Sequence, residues 1–369
     1  MSTSAELARA SSFRTKYAPK IANGLTLFSP TFAKIFHNRR ASPGTPLKVR
    51  QGDPARGVEW EHGGEDYTWQ ITKSMPTASR NRGALASRSF SQPNHLDKAV
   101  VQKFNIEQTV AISEGDFEAN QNDETKLDNL WKRRCILAQS SIWLDAVKAL
   151  WGSSTQATNT AANSPDGLAY ICSPGNVASG SYAGIAMATT SAHWTPTNYQ
   201  YTGYTIAANL LAIIATMKLK QTRSEDADGA GMINVPDMGV FNSAAWTAGI
   251  TFGASKYART DVSSGGMQSM DMVAKGFDNL WIDGVDCFPD LWWGGSASAY
   301  LESAASEEFI MGHSDRIGIA TTSKKSEGLV RGVMIEDPVV ISAKQAGVFK
   351  TGLHTFFIES PVWFGLAYL

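Results

Sequence analysis

Between Glu124 and Trp151 apolar side chains return at the spacing of an α-helix. One stripe runs through Leu127, Leu130, Leu137, Leu144, Val147 and Trp151, and an adjacent one through Trp131, Cys135, Ala138, Ile142 and Ala146. Lys126, Asp128, Lys132, Arg133, Asp145 and Lys148 fall opposite, so the pattern predicts an amphipathic helix laid on a core along one side. The polar break at Asn120 to Asp123 can cap its start and Gly152 supplies a stop. At the helical rise per residue the rod is about 40 Å long. Leu127, Leu130, Trp131, Leu137, Leu144 and Val147 are its expected core contacts. A second helix is predicted from about Thr202 to Gln221, on Ile206, Leu210, Ile213, Ile214 and Met217, before the polar segment Ser224 to Gly231.

Elsewhere the period shortens to two. Tyr67, Trp69 and Ile71 alternate with polar residues, as do Phe104, Ile106, Val110 and Ile112, and both stretches read as strands. Leu280 to Phe288 alternates strongly, Met232 to Val235 opens that region, and Asn242 to Ile250 reads as a helix. Residues 152–201, rich in Ser, Thr, Ala, Asn and Gly, read as surface-crossing loops with a strand-like piece near Leu168 to Ile171. The closing run, Val348 to Leu369, is too apolar to stay in water and is expected in a sheet, broken at Pro361. No internal repeat stands out, so the chain reads as one irregular α+β fold.

The first hundred residues carry far less core. Residues 1–46 show no sustained period and hold Pro19, Pro30, Pro43 and Pro46, which predicts an extended arm with one amphipathic piece at Phe32 to Phe36. Residues 47–104 read as a long hairpin. Its loose tip, Thr77 to Ser91, sets Arg80, Arg82 and Arg88 among Ala, Ser and Gly, too little apolar mass to pack on itself.

Charge adds a polarity that the net value of -1 conceals. Residues 1–50 hold nine Lys or Arg against a single acid, Glu6, while everything after residue 100 is net acidic. Such an arm fits a solvated tail, a strap on acidic neighbouring surfaces, or a contact to nucleic acid. Of the 369 residues, 43% are hydrophobic and 18% charged. That is ample for a core and light in surface charge. Cys135, Cys172 and Cys287 are far apart and odd in number, which indicates neither a disulfide framework nor a zinc site and fits a reducing cytoplasm. The N-terminus lacks the apolar stretch of a secretion signal. The most apolar helical run, Thr205 to Met217, is interrupted by Asn209 and is shorter than the roughly 20 residues a membrane span needs.

Motifs for chemistry are missing where they would be expected. No glycine loop precedes Lys-Ser or Lys-Thr at phosphate-binding spacing, and Gly229-Ala-Gly231 lacks the third glycine of a dinucleotide fingerprint. Asp226, Asp228 and Gly229 are not followed by the closing Glu of a calcium loop. His37, His62, His95, His193, His313 and His354 are scattered. His313, Ser314 and Asp315 are consecutive and cannot adopt triad geometry. Trp281, Trp292 and Trp293, beside short strands, suit a core or a subunit seam. No catalytic, cofactor or metal site is assigned, and the chain is not read as an enzyme.

The order arm, hairpin, rod, second helix, mixed domain and terminal strand resembles the major capsid proteins of tailed phages, the Hong Kong 97 type. The stretches that carry the resemblance are LFSPTFAKIF at Leu27 to Phe36, VAISEGDFEANQND at Val110 to Asp123, LWG at Leu150 to Gly152, DGL at Asp166 to Leu168 and FDNLWIDGVDCFPD at Phe277 to Asp290. The resemblance implies an N-terminal arm at 1–46, an extended loop at 47–104 and a peripheral domain at 105–235 with its spine helix at 124–151. An axial domain would span 236–320, and 321–369 would return to the peripheral domain and the C-terminal strands. It further implies self-assembly into hexamers and pentamers of an icosahedral shell around double-stranded DNA, located in the virion and, during assembly, in the host cytoplasm. Partners would be a portal, a separate scaffolding protein, since the chain opens directly on the arm, and in some shells a decoration protein. Contacts between subunits are expected at Arg39, Arg40, Trp60, Trp69, Lys73, Arg80, Arg82 and Arg88. A cargo-enclosing nanocompartment of the same fold is the competing expectation, and a hydrolase or binding module the third.

Overall fold

The computed structural model describes residues 29–35, 59–61, 63–72, 96–113, 124–152, 166–187, 194–201, 205–222, 235–256, 280–293, 307–322, 334–335, 339–341, 344–350 and 354–368. The chain begins with a short helix, α1 (Pro30–Ile35), followed by β1 (Glu59–Glu61), β2 (Asp66–Thr72), β3 (Leu96–Gln102) and β4 (Glu107–Ser113). Next come the rod, α2 (Glu124–Trp151), two short helices, α3 (Leu168–Ile171) and α4 (Pro174–Ser179), and the strands β5 (Ser181–Tyr182), β6 (Ile185–Ala186) and β7 (Tyr199–Gln200). Helix α5 (Ile206–Gln221), β8 (Met238–Phe241), α6 (Ser243–Lys256), β9 (Leu280–Ile282), β10 (Val285–Pro289), β11 (Glu308–Gly312) and β12 (Ile317–Thr321) follow. The last strands are β13 (Met334–Ile335), β14 (Val339–Ile341), β15 (Lys344–Lys350), β16 (His354–Ile358) and β17 (Phe364–Tyr368).

The rod has the predicted bounds and ends where Gly152 takes a φ of 31°, its amide bonding the Lys148 carbonyl at 3.0 Å. Its inner face differs from the expected one. Cys135, Ala138, Ile142, Ala146, Val147, Leu150 and Trp151 are buried, whereas Leu137 is 61% exposed and Ile136 beside it 49%. Leu130 and Leu144 are half-buried, and the side chains of Leu127 and Trp131 lie outside the described residues. The correction at Leu137 is geometric: at about 100° per residue it points some 140° away from Ile142, toward Arg133. The core selected the second stripe and part of the first.

The largest sheet has the order β7-β17-β11-β8-β10-β9. Parallel pairing of β8 with β10 places Gly239 beside Cys287, and antiparallel β11 sets Met311 beside Gly239. Both faces are covered, so neighbouring residues enter different cores. Phe309 and Met311 pack with Ile206, Leu210, Ile213, Ile214 and Met217 of α5, while Ile310 packs with Val240 and Phe288 on the side of the rod. This explains why these strands read as continuous apolar runs. The sheet also takes strands from outside 236–320, namely Tyr199–Gln200 and Phe364–Tyr368.

Strand β15 pairs with β4 along its full length, Lys344 opposite Ser113 and Lys350 opposite Glu107, and both pack on the rod. The hairpin base pairs β2 with β3, Trp69 opposite Ala99. Strand β1 joins β12 and β16 in a third sheet, with Trp60 opposite Ala320. Leu168 to Ile171 is helical rather than strand-like. Its two apolar anchors, Leu168 and Ile171, are three apart and both buried, a helical spacing that a strand would place on opposite faces. Leu280 to Phe288 is a hairpin whose turn residues Asp283 and Gly284 have φ of 50° and 82°. That left-handed conformation suits an Asp-Gly pair. The helix expected from Asn242 begins one residue later, because the Asn242 side chain caps it by accepting from the Ala245 amide at 2.9 Å. The helix expected from Thr202 begins at Ile206 and carries non-helical dihedrals at Asn209.

Candidate functional site: the arm latch

Ser29, Pro30, Thr31 and Lys34 are a small set of residues with complementary uses. Proline at the first helical position fixes the entry of α1, and the Ser29 hydroxyl lies 3.4 Å from the Phe32 amide. Phe32 and Ile35 are buried, and the Phe32 ring meets Phe356 at a centroid distance of 5.4 Å. The polar side of the same short helix lies over the end of β10. Ser29 Oγ and Thr31 Oγ1 both donate to Asp290 Oδ2, at 2.7 and 2.6 Å, and the Trp292 amide donates to Asp290 Oδ1 at 3.1 Å. Lys34 Nζ donates to Asp286 Oδ2 and lies 3.7 Å from Asp237 Oδ2. Asp237 in turn accepts from the Ser314 amide at 2.8 Å and hydroxyl at 2.6 Å.

Every member of this cluster has a reason to stay engaged. Burial raises the Asp290 carboxyl above the ordinary carboxylate value, and the hydroxyl donors Thr31 and Ser29 offset part of that shift. Lys34 and Asp286 are nearly inaccessible, so each is the chief compensation for the desolvated charge of the other.

The end of the rod borders the latch. The Trp151 and Trp293 rings stack at 5.0 Å with their planes 7° apart. Directly after Trp151 the backbone of Gly152 touches that of Gly167 so closely that a Cβ on Gly167 would lie 2.3 Å from the Gly152 nitrogen. Four of the five stretches singled out in the sequence therefore meet here: the arm helix, Leu150 to Gly152, Asp166 to Leu168 and the end of Phe277 to Asp290. The fifth contributes Val110 to Ser113 to β4, against the rod.

No protein-family model matches this chain, and no curated protein matches it in sequence. Among solved structures, the cyanophage A-1(L) capsid asymmetric unit aligns with 90% of this chain and 96% of its own, with a TM-score of 0.53 and 12% identity. This is a phage-capsid fold. A Mycobacterium phage Bobi chain aligns with 91% of this chain and 96% of its own (TM-score 0.47, 8% identity). The SrpI encapsulin of Synechococcus elongatus PCC 7942 aligns with 91% and 93% (TM-score 0.46, 10% identity).

Within the capsid fold, the residues expected between subunits divide. Trp60 sits on a strand paired inside its own chain. Trp69, expected at a contact between subunits, also has contacts inside its own chain: it is half-buried, donates its indole N–H to the Glu359 carbonyl at 2.9 Å, and lies 5.5 Å from Tyr67, 5.6 Å from Phe357 and 6.5 Å from Tyr182. The physical reason is that Tyr67 and Trp69 share one face of β2, and β16 covers that face. Arg39, Arg40, Lys73, Arg80, Arg82 and Arg88 lie outside the described residues. Trp293 is buried, Trp292 half-buried and Trp281, on the edge strand β9, 45% exposed. His313 is buried edge-on against Trp363 at 4.9 Å.

Sequence reading did not assign the latch residues. One signal was present: Asp286 and Asp290 interrupt and close the apolar run Val285 to Pro289, and an acid in such a run calls for a partner. Nothing local identified Ser29, Thr31 and Lys34, more than 250 positions away, as that partner. Among the described residues no His, Cys, Asp and Glu cluster is arranged to hold a metal ion, and no helix is long and apolar enough to cross a membrane.

Proposed function

We propose that this chain is the major capsid protein of a tailed phage, a structural protein that self-assembles into an icosahedral shell around double-stranded DNA. The observation that carries the reading is the capsid fold shared with a cyanophage shell subunit along 90% of the chain. In this reading α2 is the spine of a peripheral domain, and the sheet under α5 and α6 belongs to an axial domain. Residues 47–104 form the extended loop, whose base is held in its own subunit while its tip meets a neighbour. Arg80, Arg82, Arg88 and Lys73 would then pair with acidic surface on that neighbour.

The exposed Ile136 and Leu137 on the rod and Trp281 on β9 support an assembling role, since apolar side chains bared on regular elements are suited to burial between copies. A shell closes through many modest contacts repeated around rings, and hexamers and pentamers supply that repetition. A portal and a separate scaffolding protein would be the partners of such a shell. The particle would reside in the virion, and its subunits in the host cytoplasm beforehand.

Expression of the chain with its genomic neighbours, followed by electron microscopy and nuclease protection, tests the reading. Closed icosahedral particles that protect double-stranded DNA are expected. Particles filled with one protein instead would transfer the chain to the nanocompartment reading. A monomer or small oligomer that never forms shells would end both.

A further inference from the structure

Asp286 uses one of its two carboxylate oxygens. Oδ2 accepts from Lys34 Nζ, whereas Oδ1 has no hydrogen-bond partner among the described residues, although Asp286 is only 4% exposed. An unmatched carboxylate oxygen in such a place is costly. Lys34 is buried as well, so an amine nitrogen stands against a carboxyl group with one oxygen to spare, at a site closed to bulk water.

The backbone fixes this juxtaposition. The Asp286 amide donates to the Asp237 carbonyl at 3.1 Å, which sets the two acids side by side on neighbouring strands. Ser314 orients Asp237, donating its amide at 2.8 Å and its hydroxyl at 2.6 Å, and Asp237 Oδ2 lies 3.7 Å from Lys34 Nζ. Helix α1 supplies Lys34 from the opposite side, seated by the buried Phe32 and Ile35. Such positioning makes neighbours of two groups 252 residues apart in the chain, and it lowers the barrier to their condensation. Burial favours the product too, since a neutral link replaces two desolvated charges.

We propose that Lys34 Nζ and Asp286 Cγ become joined by an amide bond that the folded chain forms by itself. A proton passes from the Lys34 ammonium to Asp237, and the freed lone pair on Nζ attacks Asp286 Cγ. As the C–N bond forms, a second nitrogen proton moves to Asp286 Oδ1. Asp237 returns its proton to the same oxygen, the C–Oδ1 bond breaks and water departs. The third ammonium proton stays on the amide nitrogen, Oδ2 becomes the amide carbonyl, and nothing is oxidised or reduced. The bond fastens α1 to β10 covalently within one chain, so the proposal stands apart from the shell reading.

Mass spectrometry of the purified full-length chain tests it. The intact wild-type chain is expected to be lighter than its sequence by one water, and Lys34→Arg to have its full mass. Protease digestion should yield a branched peptide that joins the segments containing Lys34 and Asp286. Asp237→Asn is expected to slow the appearance of that peptide by about a hundredfold during refolding, the scale of a lost proton carrier. Branching at the wild-type rate in that variant would overturn the role of Asp237. A wild-type chain of full mass overturns the bond itself. So does a water loss that maps to a linear peptide, such as one closing a ring at Asp283-Gly284, while Lys34 still reacts with an amine label after denaturation.

Discussion

At Gly167 a single methyl group is enough to separate two parts of the fold. Its Cβ would fall 2.3 Å from the Gly152 nitrogen and from the Trp151 carbonyl carbon, all backbone, so no side chain can turn aside. Gly167→Ala is expected to destabilise the unassembled chain by about 3 kcal/mol, at the upper end of overpacking costs, read as a lowered urea midpoint. An unchanged midpoint would mean that the contact is not maintained in solution. Asp290 makes a prediction of a different kind. Its carboxyl is raised by burial, so the folded chain holds that proton more tightly than the unfolded chain. Stability from this group is complete below the ordinary carboxylate value and is lost as pH rises through the folded one. The difference in unfolding free energy, wild type minus Asp290→Asn, should therefore fall as pH rises from about 4 toward neutrality. A difference that stays level over that range refutes the assignment.

In the proposed shell the rod is the element whose two faces would have separate tasks. Val147, fully buried, holds it to the subunit, whereas Ile136 and Leu137 look outward with Lys132 and Arg133. Substitutions on the two faces should separate folding from assembly. Val147→Ala is expected to cost the unassembled chain about 2 kcal/mol through lost burial and a cavity, with assembly impaired only as far as folding is. Leu137→Glu is expected to change unfolding by no more than about 0.5 kcal/mol, as exposed substitutions do, yet to reduce particle yield sharply. Denaturation of subunits and sedimentation of particles, measured on the same preparations, check both. Normal particles from Leu137→Glu would remove this face from the set of contacts between copies.

For the whole molecule, the distribution of apolar mass decides what a subunit can do alone. The sheet between the rod and α5 is covered on both faces, and the hairpin base is clamped by Trp69, Phe357 and the Glu359 carbonyl. The sequence Thr77 to Ser91 has no comparable supply of apolar residues, and in the proposed shell its contribution would come between copies. Deleting Thr77 to Ser91 should leave subunit unfolding within about 0.5 kcal/mol of wild type while shells become fewer and easier to dissociate with denaturant. Closed shells of undiminished stability from the deleted chain would show that the tip does not strap neighbours together.

Much of the local structure was written in the sequence. The bounds of the rod, the second helix near Ile206, the alternation in Tyr67, Trp69 and Ile71, and the need to bury the C-terminal run follow from periods of 3.6 and 2, which any window of residues displays by itself. The turn at Asp283 and Gly284 is equally local, since those residue types accept a positive φ. The tertiary structure decided what depends on a distant surface. It chose the stripe of the rod that faces inward and left Leu137 outside, and it made Leu168 to Ile171 a helix by offering one apolar seat to two side chains three apart. It also placed the arm hydroxyls and Lys34 against Asp286 and Asp290, partners separated by some 250 residues of chain. Periodicity announces that a face must be covered, and only packing determines by what.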